Sequence, residues 1–449
     1  MYQNVIKYCL YRMYKLPPII ENLDESLEDN LDKSLESLED NLDESKFIGV
    51  ANNTILSVLQ NSSASLPSNL KTHTLLPANL STTSFPVNLS TTSFPVNLST
   101  TSFPVNLKIH KLYDNIHGEI VISTHALQIT KHTWFQRLKD IKQLGTLYFK
   151  FPYANHTVYD HSIGIAHLSR LVGTFLQQKH HQITNREILC LEIAGLCYNL
   201  GQGPFTQCFD VLMSTNYKQR SQVLVRKLIE SIKDIDITNE EIMLIQYFIN
   251  PDTNSIKPSY TPGLEQILSN VHHTLNVVKL DYILRDAQAL RYDLIFSYKY
   301  DLRSLLQRSC LVSNDEKILW TFHIQDQEIV YDLICKHSMF YHYYYLDMYV
   351  TNSNNMLINI LSILNKVMPF YEYSKLETLH YIEKYIELTD VFVLETILNS
   401  DDNKLAVAKH LLDNIFKGVS CGVELIDTNT TNNLNRNPFG LLANVQFYK

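Results

Sequence analysis

The stretch TNREILCLEIAGLCYNLGQGPFTQCFD, residues 184–210, decides the fold. Thr184 with Glu187 three residues on has the form of a capping box, in which the hydroxyl takes the third helical N–H and the carboxylate returns to the cap's own N–H. The apolar run behind it reads as a helix. Gly201 and Gly203 break the chain, and Pro204, which suits a first helical position, restarts the helix through Phe205, Phe209 and Leu212. Thr238 with Glu241 repeats the capping signal. Helical patterns continue through 262–295, 326–350, 354–367 and 375–417. One hairpin is expected at 309–323, where Asn314-Asp315 separates two short apolar runs. The expected body, residues 108–419, is all-α with a minor β element.

Outside the body the texture changes. After an N-terminal segment, 1–20, residues 21–45 hold eleven Asp or Glu against one Lys, with Leu23, Leu27, Leu31, Leu35, Leu38 and Leu42 four or three apart. That is a narrow leucine stripe on an acidic helix, weakened by like charges on its polar face. Residues 46–107 contain NLSTTSFPV three times without change, from Asn79, Asn88 and Asn97. Proline recurring every nine residues among Ser and Thr precludes a regular helix, so a disordered linker is expected. Beyond about Val419 the Asn- and Thr-rich tail, 420–449, is expected to be poorly ordered.

Composition narrows the function classes. With 45% hydrophobic residues the chain can bury a sizeable core. The net charge of −8 is concentrated in the acidic segment and leaves the body near neutral, so no nucleic-acid partner is expected from charge. Seven scattered cysteines without a C-x-x-C pair point away from a disulfide framework and a zinc knuckle. Lys7, Arg12 and Lys15 interrupt the first apolar runs, and no apolar stretch suits a membrane span. An intracellular, non-secreted protein without a membrane segment is expected.

Five blocks then follow in order: YDNIHGEI at 113–120, FQRLKDIKQLG at 135–145, FPYANHTVYDHSIG at 151–164, AGLCYNLGQGPFTQCFD at 194–210 and VVKLDYILRD at 277–286. Together they resemble the animal sterile-alpha-motif and HD-domain deoxynucleoside triphosphate triphosphohydrolases and their bacterial relatives. The resemblance implies a compact helical HD bundle over about 108–419. It also implies a site where a first His, a His-Asp pair and a later Asp hold one divalent metal that activates water.

The resemblance also shows what this sequence lacks. The first ligand position is His161, but the His-Asp pair reads Tyr198-Asn199 and the later Asp is Val278. Neutral Tyr, an Asn carbonyl and Val leave one imidazole to hold the ion, so no metal and no cofactor are expected. The histidines implied to face the phosphates are Gln202 and Gln207, which do not transfer protons near neutral pH. Val158, His337 and Tyr341 stand where a phosphate-binding Arg, an Arg and a His are implied, and Tyr217 where a further His would fall. Gln143, Leu144, Lys279, Tyr282, Asp286 and Tyr345 persist as candidate nucleotide-binding residues. They either still recognise a nucleoside or simply hold helices together, Asp286 pairing with neighbouring Arg285.

The implied regulatory pocket keeps Asp114, His117-Gly118 and Gln136, but has Lys131 and Lys139 at its acidic and Arg positions. A nucleotide, or an active HD-domain homologue in a mixed complex, are the expected partners, with a dimer compatible with what remains. The sequence therefore reads as a catalytically inactive HD-domain pseudoenzyme, acting by binding as regulator, decoy or scaffold in nucleotide metabolism. One alternative is a phosphohydrolase with a metal site rebuilt from His156, His161, His272-His273 or Asp281. Another is a single-stranded nucleic-acid binder stacking bases on Tyr341 to Tyr345.

Overall fold

The computed structural model describes residues 109–251, 257–270, 275–290, 295–314, 317–418 and 447–448. The acidic leucine-striped segment, the repeat linker, the C-terminal tail other than 447–448, and the His272-His273 pair lie outside the described residues.

The body opens on an antiparallel hairpin, β1 (Ile109–Asp114) and β2 (Gly118–Ser123), which the sequence reading did not anticipate. Its turn is held by the Asp114 carboxylate, which accepts from the backbone N–H groups of Ile116 and His117 at 2.8 Å each. Gly118 closes it at φ +73°, a left-handed value that suits glycine. The buried alternation of Ile120 and Ile122 was the legible strand signal.

Helices dominate from there: α1 (Thr124–Lys131), α2 (Val158–Lys179), α3 (Asn185–Cys197), α4 (Tyr217–Ser231), α5 (Asn239–Ile249), α6 (Val277–Ala289) and α7 (Ile295–Arg308). Both expected capping boxes form, at Thr184 with Glu187 and at Thr238 with Glu241. α3 is buried from Glu187 to Cys197, which makes it the central helix against which α2 packs. Its deepest charge, Glu192, is matched: it accepts from the Ser123 backbone N–H at 2.9 Å and pairs with Arg170 at 3.1 Å.

The expected second hairpin is present as β3 (Cys310–Asn314) and β4 (Lys317–His323), with β5 (Phe447–Tyr448) parallel to β4. Then come α8 (Gln327–Phe340), α9 (Met348–Asn365), α10 (Leu379–Glu387), α11 (Asp390–Asn399) and α12 (Ala406–Phe416).

Three expected helices are broken. In 262–295, Gly263 at φ +97° opens a short 3-10 turn, and α6 starts afresh at the Asn276 cap. In 326–350 the chain loosens into a π turn at Tyr341–Tyr345 before Asp347 caps α9. Thr378, Thr389 and Asp402 each cap a new start within 375–417. Polar caps reset the backbone where apolar periodicity alone suggested continuity. Pro204 is likewise not a first helical residue. Phe205 and Thr206 sit at φ 55° and 48°, so the following short helix begins at Gln207.

Candidate functional site

The site is built where α2 crosses α6. Asp281 of α6 is fully buried, and its two carboxylate oxygens accept from four nitrogens. His117 Nε2 from the first hairpin lies at 2.6 Å and His161 Nδ1 from α2 at 2.7 Å. Arg285, one turn on, donates through Nε and Nη2 at 2.9 Å each. Arg285 also reaches Asp114 at 3.0 Å, tying the hairpin turn into the same network. Burial alone would raise the Asp281 carboxyl, but Arg285 and the two imidazoles hold it well below the usual carboxylate range.

Gly164 makes this crossing feasible. A Cβ there would sit 1.8 Å from Asp281 Oδ1 and 2.5 Å from Arg285 Nη2. By donating through Nδ1, a neutral His161 is left with Nε2 as its acceptor, the tautomer a carboxylate-oriented metal ligand adopts. Nearby His167 has its ring 5.4 Å from that of His117, and burial with the neighbouring His117 pushes it down to about 3, so it is neutral.

A second network lies along the same helix. Asp286 accepts from His156 Nε2 at 2.9 Å and from the Tyr345 hydroxyl. The Tyr282 hydroxyl meets His337 Nε2 at 3.0 Å, and the Tyr282 ring stands edge-on to His161 at 6.3 Å. Burial, then neighbouring Lys279, pushes His337 down to about 4. The expected Arg285–Asp286 pair is not formed. Arg285 turns to Asp281, whose i,i+4 spacing places it on the same helix face, while consecutive residues diverge. A cavity of about 430 Å³ borders both networks, with Asp114, Arg285, His156 and Gln288 in its lining.

Four of the other sequence candidates, Tyr198, Asn199, Gln202 and Gln207, lie in the 198–207 turn. Gly201 lets this turn press onto the start of α4, where a Cβ would meet Tyr217 O and Ser221 N at 2.5 Å each. Tyr198 is buried, its ring 6.1 Å from Tyr217 and 5.1 Å below Lys218 Nζ. Asn199 is 3% exposed, and its Nδ2 has no hydrogen-bond partner. Gln202 is buried with Oε1 unpartnered, while Gln207 is exposed.

Val278 and Val158 are core residues. Gln143 has a buried, unpartnered Oε1, and Leu144 packs on a small cluster with Leu147, Ala154 and Val350. Gln136 donates to the Thr130 carbonyl at 2.5 Å, Lys131 is exposed, and Lys139 lies 4.8 Å over the Tyr159 ring. Of the aromatic run, Tyr345 is tied to Asp286, Tyr344 packs on Phe151 at 5.1 Å, and Tyr341 stands edge-on to Tyr345 at 6.0 Å.

The side chains at the implied metal positions do not fit a divalent ion. His161 is the one imidazole, Tyr198 is wedged among rings, Asn199 leaves an amide donor orphaned, and Val278 supplies no donor. Among the described residues no group of three or more His, Cys, Asp or Glu side chains could hold a metal. His156 and His161 are engaged by different carboxylates, Asp286 and Asp281. Sequence reading missed His167, and took Asp281 only as a substitute ligand. No described helix is long and apolar enough to cross a membrane.

No family model matches the chain. It is 30% identical over 347 residues to the human deoxynucleoside triphosphate triphosphohydrolase SAMHD1, covering 68% of this chain and 54% of that protein. The SAMHD1 homolog of Dictyostelium discoideum is 31% identical over 186 residues, covering 39% of this chain and 36% of its own length. An HD domain-containing protein of Acanthamoeba polyphaga mimivirus, L394, is 27% identical over 311 residues, 63% of each chain. The chain spans about half the length of the SAMHD1 proteins it matches first.

Proposed function

The chain belongs to the HD-domain, dNTPase-like family, and from that premise we propose that it is a member that binds a nucleotide without hydrolysing it and acts through that binding, as a regulator, decoy or scaffold. The observation that carries the reading is the mismatch at the metal. Of the four positions that would hold the ion, His161, Tyr198, Asn199 and Val278, one carries a ligand-type side chain. The neighbouring Gln202 and Gln207 do not transfer protons near neutral pH.

Around this gap the frame is intact. Asp281 still orients His161 by a 2.7 Å hydrogen bond. Asp286 and Tyr345, two of the candidate nucleotide-binding residues, pair with each other. A binding function needs that frame and tolerates loss of the metal, whereas hydrolysis needs both. Metal analysis of the purified full chain tests this. Far less than one equivalent of iron, manganese or zinc is expected, together with no release of triphosphate from dATP. One bound equivalent with turnover would return the chain to the hydrolases.

A further inference from the structure

We propose that Asp390 is a pH-sensitive latch on the turn at 203–206, its carboxyl holding two separate segments together when protonated and loosening them when ionised. The latch rests on the fold alone and stands whether or not a nucleotide binds. Asp390 opens α11 and is 2% exposed. Its Oδ1 accepts from the Phe205 backbone N–H at 2.6 Å and its Oδ2 from that of Lys142 at 2.8 Å. The Thr206 hydroxyl, 3.5 Å from the Gln143 carbonyl, adds a weak contact between the same two segments.

The turn held in this way is strained. Phe205 and Thr206 lie at φ 55° and 48°, in the left-handed region that residues with a side chain seldom adopt. Such backbone persists where the surroundings over-determine it. The bond from Phe205 N–H to Asp390 is made at the strained residue itself.

The carboxyl also lacks a counter-charge. Among the described residues no cationic side chain is paired with it: Arg137 directs its guanidinium to the Leu388, Leu200 and Gln202 carbonyls, and the Lys142 ammonium turns to the Asn155 carbonyl at 3.4 Å. The Cys208 thiol and the Tyr148 hydroxyl feel the Asp390 charge too. Burial pushes both up, the thiol to about 12, so both are neutral near pH 7. Two backbone N–H groups offset full burial of a charge only in part. Burial accordingly pushes the Asp390 carboxyl up from 3.8 to about 7, against the two N–H groups and the fields of Lys142 and Arg137.

A neutral carboxyl keeps acceptor capacity and brings no charge into these low-dielectric surroundings. An opened turn lets water reach Asp390, whose carboxyl then returns to its ordinary 3.8. The closed state thus binds the proton more tightly than the open one. Its advantage is complete below 3.8 and is lost as pH rises through about 7. Rising pH therefore loosens the two segments that carry Gln143 and Gln202.

The test is hydrogen exchange by mass spectrometry on the full chain from about pH 5.5 to about pH 8.5, with the chemical exchange rate at each pH divided out. Protection of peptides spanning 139–145 and 200–208 is expected to fall by about tenfold or more, with both segments exchanging ahead of α3 at the upper end. Asp390→Asn, neutral throughout, is expected to show no such slope, whereas Asp413→Asn, in the exposed pair with Lys417, keeps it. Thermal melts show whether the variants are folded.

Level wild-type protection across the range overturns the latch, as does a slope that persists in folded Asp390→Asn. Should the Asn variant not fold, the wild type decides. Loss that runs ahead of α3 in both joined segments supports the latch, and loss that appears only together with α3 is global unfolding and overturns it.

Discussion

Replacing Asp281 by Asn removes one charge without changing shape, at the point where the first hairpin, α2 and α6 meet. The wild-type carboxylate accepts from His117, His161 and both Arg285 donors, all at 2.6 to 2.9 Å. An amide keeps one acceptor and turns an N–H2 toward nitrogens that themselves donate. Breaking a buried ion pair from one side costs on the order of 3–5 kcal/mol. Arg285 keeps Asp114 at 3.0 Å, which places Asp281→Asn at the lower end, about 3 kcal/mol. For a body of this size that lowers the melting temperature by about 8 °C.

The acid limb gives a second readout. The Asp281 carboxyl is held well below its ordinary 3.8, so its contribution is fully present above the unfolded value and is lost as pH falls through the folded one. Differential scanning calorimetry from pH 7 down to about 2 should therefore show the wild type and the variant converging below about pH 4. Asp413→Asn, in the exposed Lys417–Asp413 pair of α12, is the control and should cost about 0.5 kcal/mol or less. A melting temperature for Asp281→Asn within 2 °C of the wild type (about 1 kcal/mol), or an unchanged gap at low pH, would refute the account of this network.

Other perturbations probe the same frame. Gly164→Ala puts a methyl 1.8 Å from Asp281 Oδ1, and urea unfolding should show a loss of about 2 kcal/mol; wild-type stability would mean that the two helices are not this close. Arg137→Met withdraws the buried donors to the Leu388, Leu200 and Gln202 carbonyls at 2.8 to 3.5 Å. It should cost about 3 kcal/mol, and a neutral result would show that these carbonyls find other partners. The combined change Tyr198→His, Asn199→Asp and Val278→Asp returns a full ligand set around His161 and should bring about one equivalent of manganese into the purified protein. Elemental analysis finding none, in a folded variant, would undo the assignment of those positions.

How much of this was legible beforehand depended on how local the signal was. The capping boxes at Thr184 and Thr238 fix helix starts by contacts three residues apart, and both form. The 310–323 hairpin announced itself in the same local way. The breaks at Gly263, Thr378 and Thr389 were also written in single residues, but apolar periodicity ran across them and concealed them. The first hairpin was readable in the alternation of Ile120 and Ile122.

The site was harder because its pairs are remote in sequence. His117 and Asp281 are 164 residues apart, and His156 and Asp286 are 130 apart. Nothing local distinguishes Arg285 choosing Asp281 from Arg285 choosing Asp286, apart from the helical rule that neighbours four apart share a face.

The most direct test of the central claim is titration of the full chain with dATP, with and without Mn²⁺, while triphosphate release is followed by phosphorus NMR. Binding that is indifferent to Mn²⁺, with no triphosphate formed, is the predicted result. Binding that appears only with Mn²⁺ and is followed by triphosphate release would contradict the account.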